Sequence, residues 1–396
     1  MSVHRPSTLE QLQEIVAAAR QVRAVGSHHS FNDIADAEEQ VSLTALPADV
    51  VADRDAATVS FGAGLTYGEL AAELEREGLA LHNLASLPHI SVAGAVATAT
   101  HGSGDANDNL ATAVAALELV TSSGELVTAA RGEPDFEGMV VGLGTLGVVA
   151  RLTLDVEPAY EVRQRVFEEL AWDRLFEHFD AITGSGYSVS VLTRLGETVD
   201  QVWVRSRVTD APEVVRDDLF GARPATVDRH PILGLDPVNC TPQLGRPGPW
   251  SARLPYFRMG FTPSAGEELQ SEYLVPREHA AAAIEAVRAL ADRIRPVLLI
   301  CELRTIAADR LWMSPQYGRH SVGIHFTWAL DPEGVARVLE ALEPALEPFD
   351  PRPHWGKRFL HAPRYERVAD FARLAETLDP RGAFRNAWLE ARVLGN

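Results

Sequence analysis

Lysine is almost missing from this chain of 396 residues: Lys357 stands alone among 36 basic side chains, and the other 35 are arginine. Codon bias in a GC-rich genome accounts for the arginines. A lysine that survives such a bias marks a place where arginine cannot substitute, because a buried lysine can lose its proton and arginine cannot. Positive charge as a whole is scarce. With 55 acidic residues against those 36, the formal net charge is −19. Such a chain repels a phosphate backbone, and no arginine-rich run offsets the repulsion, so nucleic acid is excluded as a partner. Only two cysteines occur, Cys240 and Cys301, too few for a disulfide framework or a cysteine-rich metal site. Neither a His-Glu-x-x-His motif nor a paired-cysteine spacing appears, so no metal is expected. There is no apolar run of about 18 residues and no apolar core of signal-peptide length near Met1. The expectation is a cytoplasmic protein without a membrane partner, and a monomer.

Hydrophobic residues make up 46% of the chain, enough at this length for two domains, each with a core. Ser7 and Glu10 have the spacing of a capping box, opening a helix on which Leu9, Leu12, Ile15, Val16 and Ala19 share a face. Val22 to Val25 reads as a strand running straight into Gly26-Ser-His-His-Ser-Phe31. Thr58 to Phe61 is a second strand; Gly62-Ala-Gly64 turns it into a helix capped by Thr66 and Glu69 and ended by Gly78. Val114 to Thr128 reads as a hairpin about Ser122-Ser-Gly124, Val148 to Val156 as a strand, and Pro158 as a boundary. Beyond it, strands are expected at 189–192, 201–208, 272–275, 297–305 and 322–329. Helices fall near 277–293 and 332–345, and again after 365. The architecture implied is α+β: an N-terminal domain followed by a mixed-sheet domain.

Two glycine-rich segments invite opposite readings. Gly142-Leu-Gly-Thr-Leu-Gly147 has the spacing of a dinucleotide fingerprint, but that motif needs a helix after it to hold a pyrophosphate. Here the strand Val148-Val-Ala-Arg-Leu-Thr-Leu154 follows, so the glycines form a tight turn and a nicotinamide cofactor is disfavoured. Ser91-Val-Ala-Gly-Ala-Val-Ala-Thr-Ala-Thr-His-Gly-Ser-Gly104 carries one large side chain, His101. Bare backbone of this kind brings successive N–H groups to an anion without help from lysine or arginine. A small-residue helix packed on a sheet is an equal reading of it.

The apolar strand Val297-Leu-Leu-Ile-Cys-Glu-Leu-Arg-Thr305 carries Glu302 and Arg304, two residues apart and therefore on one face. Burying such a pair is seldom a route to stability, which points to function, with an ion pair at a domain seam as the plainer alternative. Gly323-Ile-His-Phe-Thr-Trp328 places His325 and Thr327 on one face by the same rule. If the strands are neighbours, all four groups line one pocket.

Three segments carry a family resemblance. Val25-Gly-Ser-His-His-Ser-Phe-Asn32 resembles the flavin-attachment loop of the vanillyl-alcohol-oxidase-type FAD proteins. Ala85-Ser-Leu-Pro-His-Ile-Ser-Val-Ala-Gly94, continuing to Thr100-His-Gly-Ser-Gly104, resembles their pyrophosphate loop. His354-Trp-Gly-Lys357 resembles a signature shared by aldonolactone and alditol oxidases, and Asn239-Cys-Thr and Pro247-Gly-Pro-Trp250 resemble alditol-oxidase segments. The likeness spans nearly the whole chain. It implies a PCMH-type FAD-binding domain at 1–157, completed by 363–396, and a substrate domain at 158–362. The activity implied is oxidation of the terminal primary alcohol of alditols such as xylitol and sorbitol by FAD, with O2 reduced to H2O2. An L-gulonolactone-type oxidase or dehydrogenase of the same fold is the alternative.

The resemblance also assigns residues. His29 takes the covalent 8α link to FAD, with His28 where a small residue such as glycine is expected. Further cofactor contacts fall on Gly26, Ser27, His28, Ser30, Ser86, His89, Ser91, Gly94, Ala95, Thr98, Thr100, His101, Gly102 and Ser103, and on Gly147, Val148, His354 and Asn386. Glu302, Arg304, Thr327, Lys357 and Ser86 surround the polyol, and Arg304, Lys357 and Glu302 are the catalytic groups. Arg304 supplies fixed positive charge to a developing alkoxide. Lys357 either supplies charge or accepts a proton. His230 and His279 read as packing or loop residues, and Trp250, Trp328 and Trp355 as core or pocket wall.

Overall fold

A computed structural model of the chain describes residues 2–209, 218–262 and 267–395. The N-terminal part is built on two small sheets. Ser2–His4, Glu39–Ser42 and Val22–Val25 form a parallel three-stranded sheet in that order. Val51–Asp53, Thr58–Gly62, Val148–Asp155, Val114–Val120 and Leu126–Ala130 form an antiparallel five-stranded one. The helix Leu9–Ala18 buries Leu12 and Val16 in a core with Val22, Val41, Val120 and Val148, joining the two sheets. Its cap differs from the expected box. Thr8, with extended backbone, accepts from the Gln11 N–H, while the Gln11 side chain takes the Ser7 N–H, so the cap lies one residue later than Ser7. The second helix, Tyr67–Arg76, has the capping box of Thr66 and Glu69 in full, and Gly78 follows it at φ +67°.

The rest of the chain builds a nine-stranded sheet. Its central order is Glu161–Ala171, Thr198–Arg207, Ser188–Thr193, Leu298–Ile306, Ser321–Ala329 and Glu268–Pro276. A mixed sheet was expected; every ladder described in this one is antiparallel. A tight connection such as 194–197 returns the chain alongside itself and leaves no room for a parallel crossover. Alternation then sorts the two faces. Val189, Val191, Tyr273, Val275, Cys301, Leu303, Ile324 and Phe326 pack under the helices Ala280–Ala289 and Pro332–Leu346. Their neighbours in sequence point the other way, toward the N-terminal part.

The C-terminal tail returns to the start of the chain. The Val22 N–H donates to the Ala383 carbonyl at 2.8 Å. Arg381 donates to the carbonyls of Ala17, Ala19 and Ser122. Arg23, buried, gives its guanidinium to the carbonyls of Ile34, Leu143, Gly144 and Phe384. Burial lowers its pKa to about 10. One side chain thus ties the tail to the two loops that border the cavity described next.

Candidate active site

Three cross-strand rows make the polar face. Glu272, His325 and Glu302 stand side by side. One row along lie Gln270, Thr327 and Ile300, and on the other side Leu274, Gly323 and Arg304. Gly323 matters for what it lacks. A Cβ there would sit 3.2 Å from Glu272 Oε1, in the gap through which Arg304 Nη2 reaches that oxygen at 2.7 Å. The expectation that Glu302, Arg304, His325 and Thr327 face one pocket describes this geometry.

Charge is concentrated here with little exposure to solvent. Arg304 also lies 3.6 Å from Glu302, and both carboxylates are almost wholly buried. Burial opposes their ionisation, but Arg304 and the nearby histidines outweigh it, and both pKa values are lowered. For Arg304 the two carboxylates outweigh burial in turn and raise its pKa, so it stays a cation. Tyr256 donates to Glu302 Oε1 at 2.6 Å. His325 sets Nδ1 3.3 Å from Glu272 Oε2 and Nε2 3.2 Å from Thr327 Oγ1. His101 Nε2 lies 3.2 Å from Glu272 Oε1, at an angle that makes no proper hydrogen bond. Lys357 donates to Gln270 Oε1. Burial lowers the Lys357 pKa to about 8, against the opposing pull of Glu272.

A cavity of about 770 Å³ joins this face to the N-terminal loops. Gly26, Ser27, His28, His29 and Ser30 line it, as do Ser86, Ser91, Gly94, Ala95, Thr98, Thr100 and His101. Gly147 and His354 complete that wall, and Glu302, Arg304, Thr327 and Lys357 line the other. The segment 91–104 divides between its two readings: Val92–Ala97 is a six-residue helix, and bare loop follows, with Ala99 at φ +53°. Gly26 permits the close approach of the loop to this helix, since a Cβ would lie 1.9 Å from Ser91 Oγ. Five of the anticipated cofactor residues stand behind the wall. His89 packs against the His29 ring at 5.5 Å. Gly102 abuts Asn83, and Ser103 Oγ pairs with Ser188 Oγ at 2.7 Å. Val148 belongs to the N-terminal core. Asn386 holds the carbonyls of Asp33, Ile34 and Asp36.

Four contributors carried no flag in the sequence: Glu272, Gln270, Tyr256 and Asn32. The first two follow from the same two-residue rule that exposes Glu302 and Arg304. Tyr256 lies in an irregular stretch with no periodic signal. Asn32 Nδ2 donates to the carbonyls of Trp355 at 2.8 Å and Lys357 at 2.6 Å, a contact between loops 325 residues apart.

His28 adopts φ +54°, a left-handed conformation that costs a residue with a Cβ about 1–2 kcal/mol. Substituting glycine is expected to stabilise the fold by about 1 kcal/mol. An unchanged or lower urea midpoint for His28→Gly would refute the strain.

The residues fit the flavin that the resemblance implies. His29 Nε2 is buried without a hydrogen-bond partner. Burial and the nearby Lys357, His89 and His325 lower its pKa to about 3, so the ring is neutral and one nitrogen is a free nucleophile. Among the described residues, no helix is long and apolar enough to cross a membrane and no cluster of side chains suits a metal ion.

Comparison with known proteins agrees along the chain. A family model described as FAD binding domain matches residues 2–130, and one described as D-arabinono-1,4-lactone oxidase matches 266–392. An alditol oxidase from a Streptomyces species is 50% identical, over 98% of this chain and 94% of the relative. An L-gulono-1,4-lactone dehydrogenase from Mycobacterium tuberculosis is 28% identical over 100% of this chain and 96% of its own. Among solved structures, cholesterol oxidase from B. sterolicum superposes with a TM-score of 0.77 over 99% of this chain and 94% of that one, at 13% identity. That likeness shows the shared fold alone.

Proposed function

The chain belongs to the alditol oxidase family of FAD-dependent oxidoreductases, and on that premise we propose that it oxidises the terminal primary alcohol of alditols such as xylitol and sorbitol to the aldose, reducing O2 to H2O2. The observation that carries the reading is 50% identity from end to end with an alditol oxidase. The lactone relatives are more distant, at 28%, so a lactone substrate is not favoured. The site supports it: the five hydrogen-bonding or charged groups expected around a polyol line one cavity with the expected attachment histidine.

We divide the chain into an FAD-binding domain, 1–157 with 363–396, and a substrate domain, 158–362, acting as a cytoplasmic monomer. His29 is the proposed covalent anchor through the 8α position. When bound, FAD supplies the two-electron acceptor for the alcohol and hands those electrons to oxygen. The protein's share is electrostatic. Arg304 and Lys357 set positive charge about the oxygen that loses its proton, in a buried site where such charge acts strongly. Glu302, fixed by Tyr256, holds Arg304 in place. Ser86 offers a hydroxyl to the chain of the polyol, Thr327 lines the wall with Arg304 and Lys357, and Gln270 steadies the Lys357 ammonium.

The test is a denaturing gel of acid-precipitated protein viewed under ultraviolet light, with His29→Ala beside it. A fluorescent full-length band that vanishes in the variant is the expected result. A dark band with a yellow supernatant would keep FAD and remove the His29 link. A colourless preparation from flavin-replete cells would end the flavoprotein reading.

A further inference from the structure

Glu272 has no part in the chemistry assigned so far, yet it is the most enclosed charge in the site, with 1% of its side chain exposed. It faces Arg304 from one strand, His325 from the next and His101 from the N-terminal loop. Lys357 and His354 lie on the loop beyond, and the His354 N–H donates to the Glu272 backbone carbonyl. These contacts fix the direction of every hydrogen bond that follows. An ionised Glu272 only accepts, so the proton between it and His325 sits on Nδ1. A neutral His325 then has a bare Nε2, which can only accept, and Thr327 Oγ1 spends its single proton there at 3.2 Å. What Thr327 has left for an incoming hydroxyl is lone pairs.

We propose that Thr327, His325 and Glu272 form an oriented proton-accepting chain, with Glu272 as the positioning residue that sets the His325 tautomer. The inference rests on the alditol-oxidation reading and goes beyond it by naming the acceptor. As the substrate O–H bond breaks, its electron pair stays on the oxygen and its proton passes to Thr327 Oγ1. The Thr327 proton moves in the same step to His325 Nε2. The resulting imidazolium is balanced by the Glu272 carboxylate through Nδ1–H. The oxygen pair becomes the C=O bond as the hydrogen on carbon leaves with two electrons to the bound flavin. Lys357 and Arg304 then act as charge alone, which agrees with a lysine still protonated below about pH 8.

The pH profile separates the two candidate acceptors. Burial lowers the His325 pKa from 6.5. With His325 as acceptor, kcat/KM for xylitol should fall on the acid side with an apparent pKa below 6.5 and on the alkaline side near 8, as Lys357 loses its charge. With Lys357 as acceptor, activity would instead rise through about 8. Glu272→Gln should lower kcat by at least about 10²-fold and move the acid limb to lower pH, since the charge favouring imidazolium is gone. His325→Asn should abolish that limb.

A second readout is independent of turnover: nitrogen NMR of labelled holoenzyme, with His325 assigned by its loss in His325→Asn. The Nδ1–H form is expected, shifting toward Nε2–H in Glu272→Gln. An Nε2–H tautomer in the wild type, or kcat of Glu272→Gln within threefold of wild type, would overturn the proposal. So would a wild-type acid limb near 8 that survives in His325→Asn. A failure to oxidise any polyol would sink the functional reading instead, and the tautomer measurement would still stand.

Discussion

Lys357→Met is expected to lower turnover of xylitol about 10²–10³-fold, the usual loss when one preorganised stabiliser of developing negative charge is removed, while the flavin colour stays. Methionine keeps the length and apolar contacts of the stem and deletes only the ammonium, so Gln270 Oε1 loses its donor while its amide still donates to Glu268. Folding should not suffer. Burial disfavours the charged form of Lys357, as its lowered pKa of about 8 records. A lysine whose folded pKa lies below its unfolded value carries a penalty at pH 7 that fades as pH rises toward that unfolded value. The variant should therefore melt no lower than wild type at pH 7, and the alkaline limb of its pH profile should vanish. Wild-type turnover in Lys357→Met would remove the residue from the mechanism.

Arg304→Leu should be worse on both counts. On the proposed reading it takes positive charge from the reacting oxygen, and it also leaves two buried carboxylates without the cation they share. Breaking a buried ion pair by deleting one partner costs about 3–5 kcal/mol, against total stabilities of about 5–15 kcal/mol. The deficit should depend on pH in a definite sense. In the wild type Glu272 and Glu302 have lowered pKa values, so their pairing adds stability above the unfolded carboxylate pKa, and that stability is lost as pH falls through the folded values. Without Arg304, burial prevails and raises both pKa values. The penalty is then full at neutral pH and disappears below the unfolded value. The gap in melting temperature between Arg304→Leu and wild type should narrow from pH 7 toward pH 4.5; a gap that does not change with pH would contradict the pairing.

What the sequence made legible follows from how local each signal is. Glu302 and Arg304 could be read because a two-residue period and an apolar surround are written into one strand. The Thr66–Glu69 cap and the turn at Gly142–Gly147 are likewise decided within a few residues. The 11-residue strand Glu161–Ala171 left no such trace, since Gln164 is buried where an apolar residue would announce the pattern. Tyr256 and Asn32 act through contacts 46 and 325 residues away, and no spacing rule reaches that far. The cap at Thr8 rather than Ser7 is a contest between adjacent hydroxyls, settled by backbone angles that composition does not encode.

The bridge from Asn32 to the carbonyls of Trp355 and Lys357 sets a timetable. A ribosome exposes the loop at 26–32 long before Trp355 and Lys357 exist, and the Ala383 carbonyl that pairs with Val22 comes later still. Until then the loop has its early contacts, Ser91 N–H to Ser27 Oγ and Ile34 N–H to Asn32 Oδ1, but not the two bonds that fasten Asn32 to the far end of the chain. On the proposed reading, cofactor capture should await the finished polypeptide. Nascent chains arrested before residue 355 should carry no flavin, whereas released full-length chains should acquire it in one step with their final compaction.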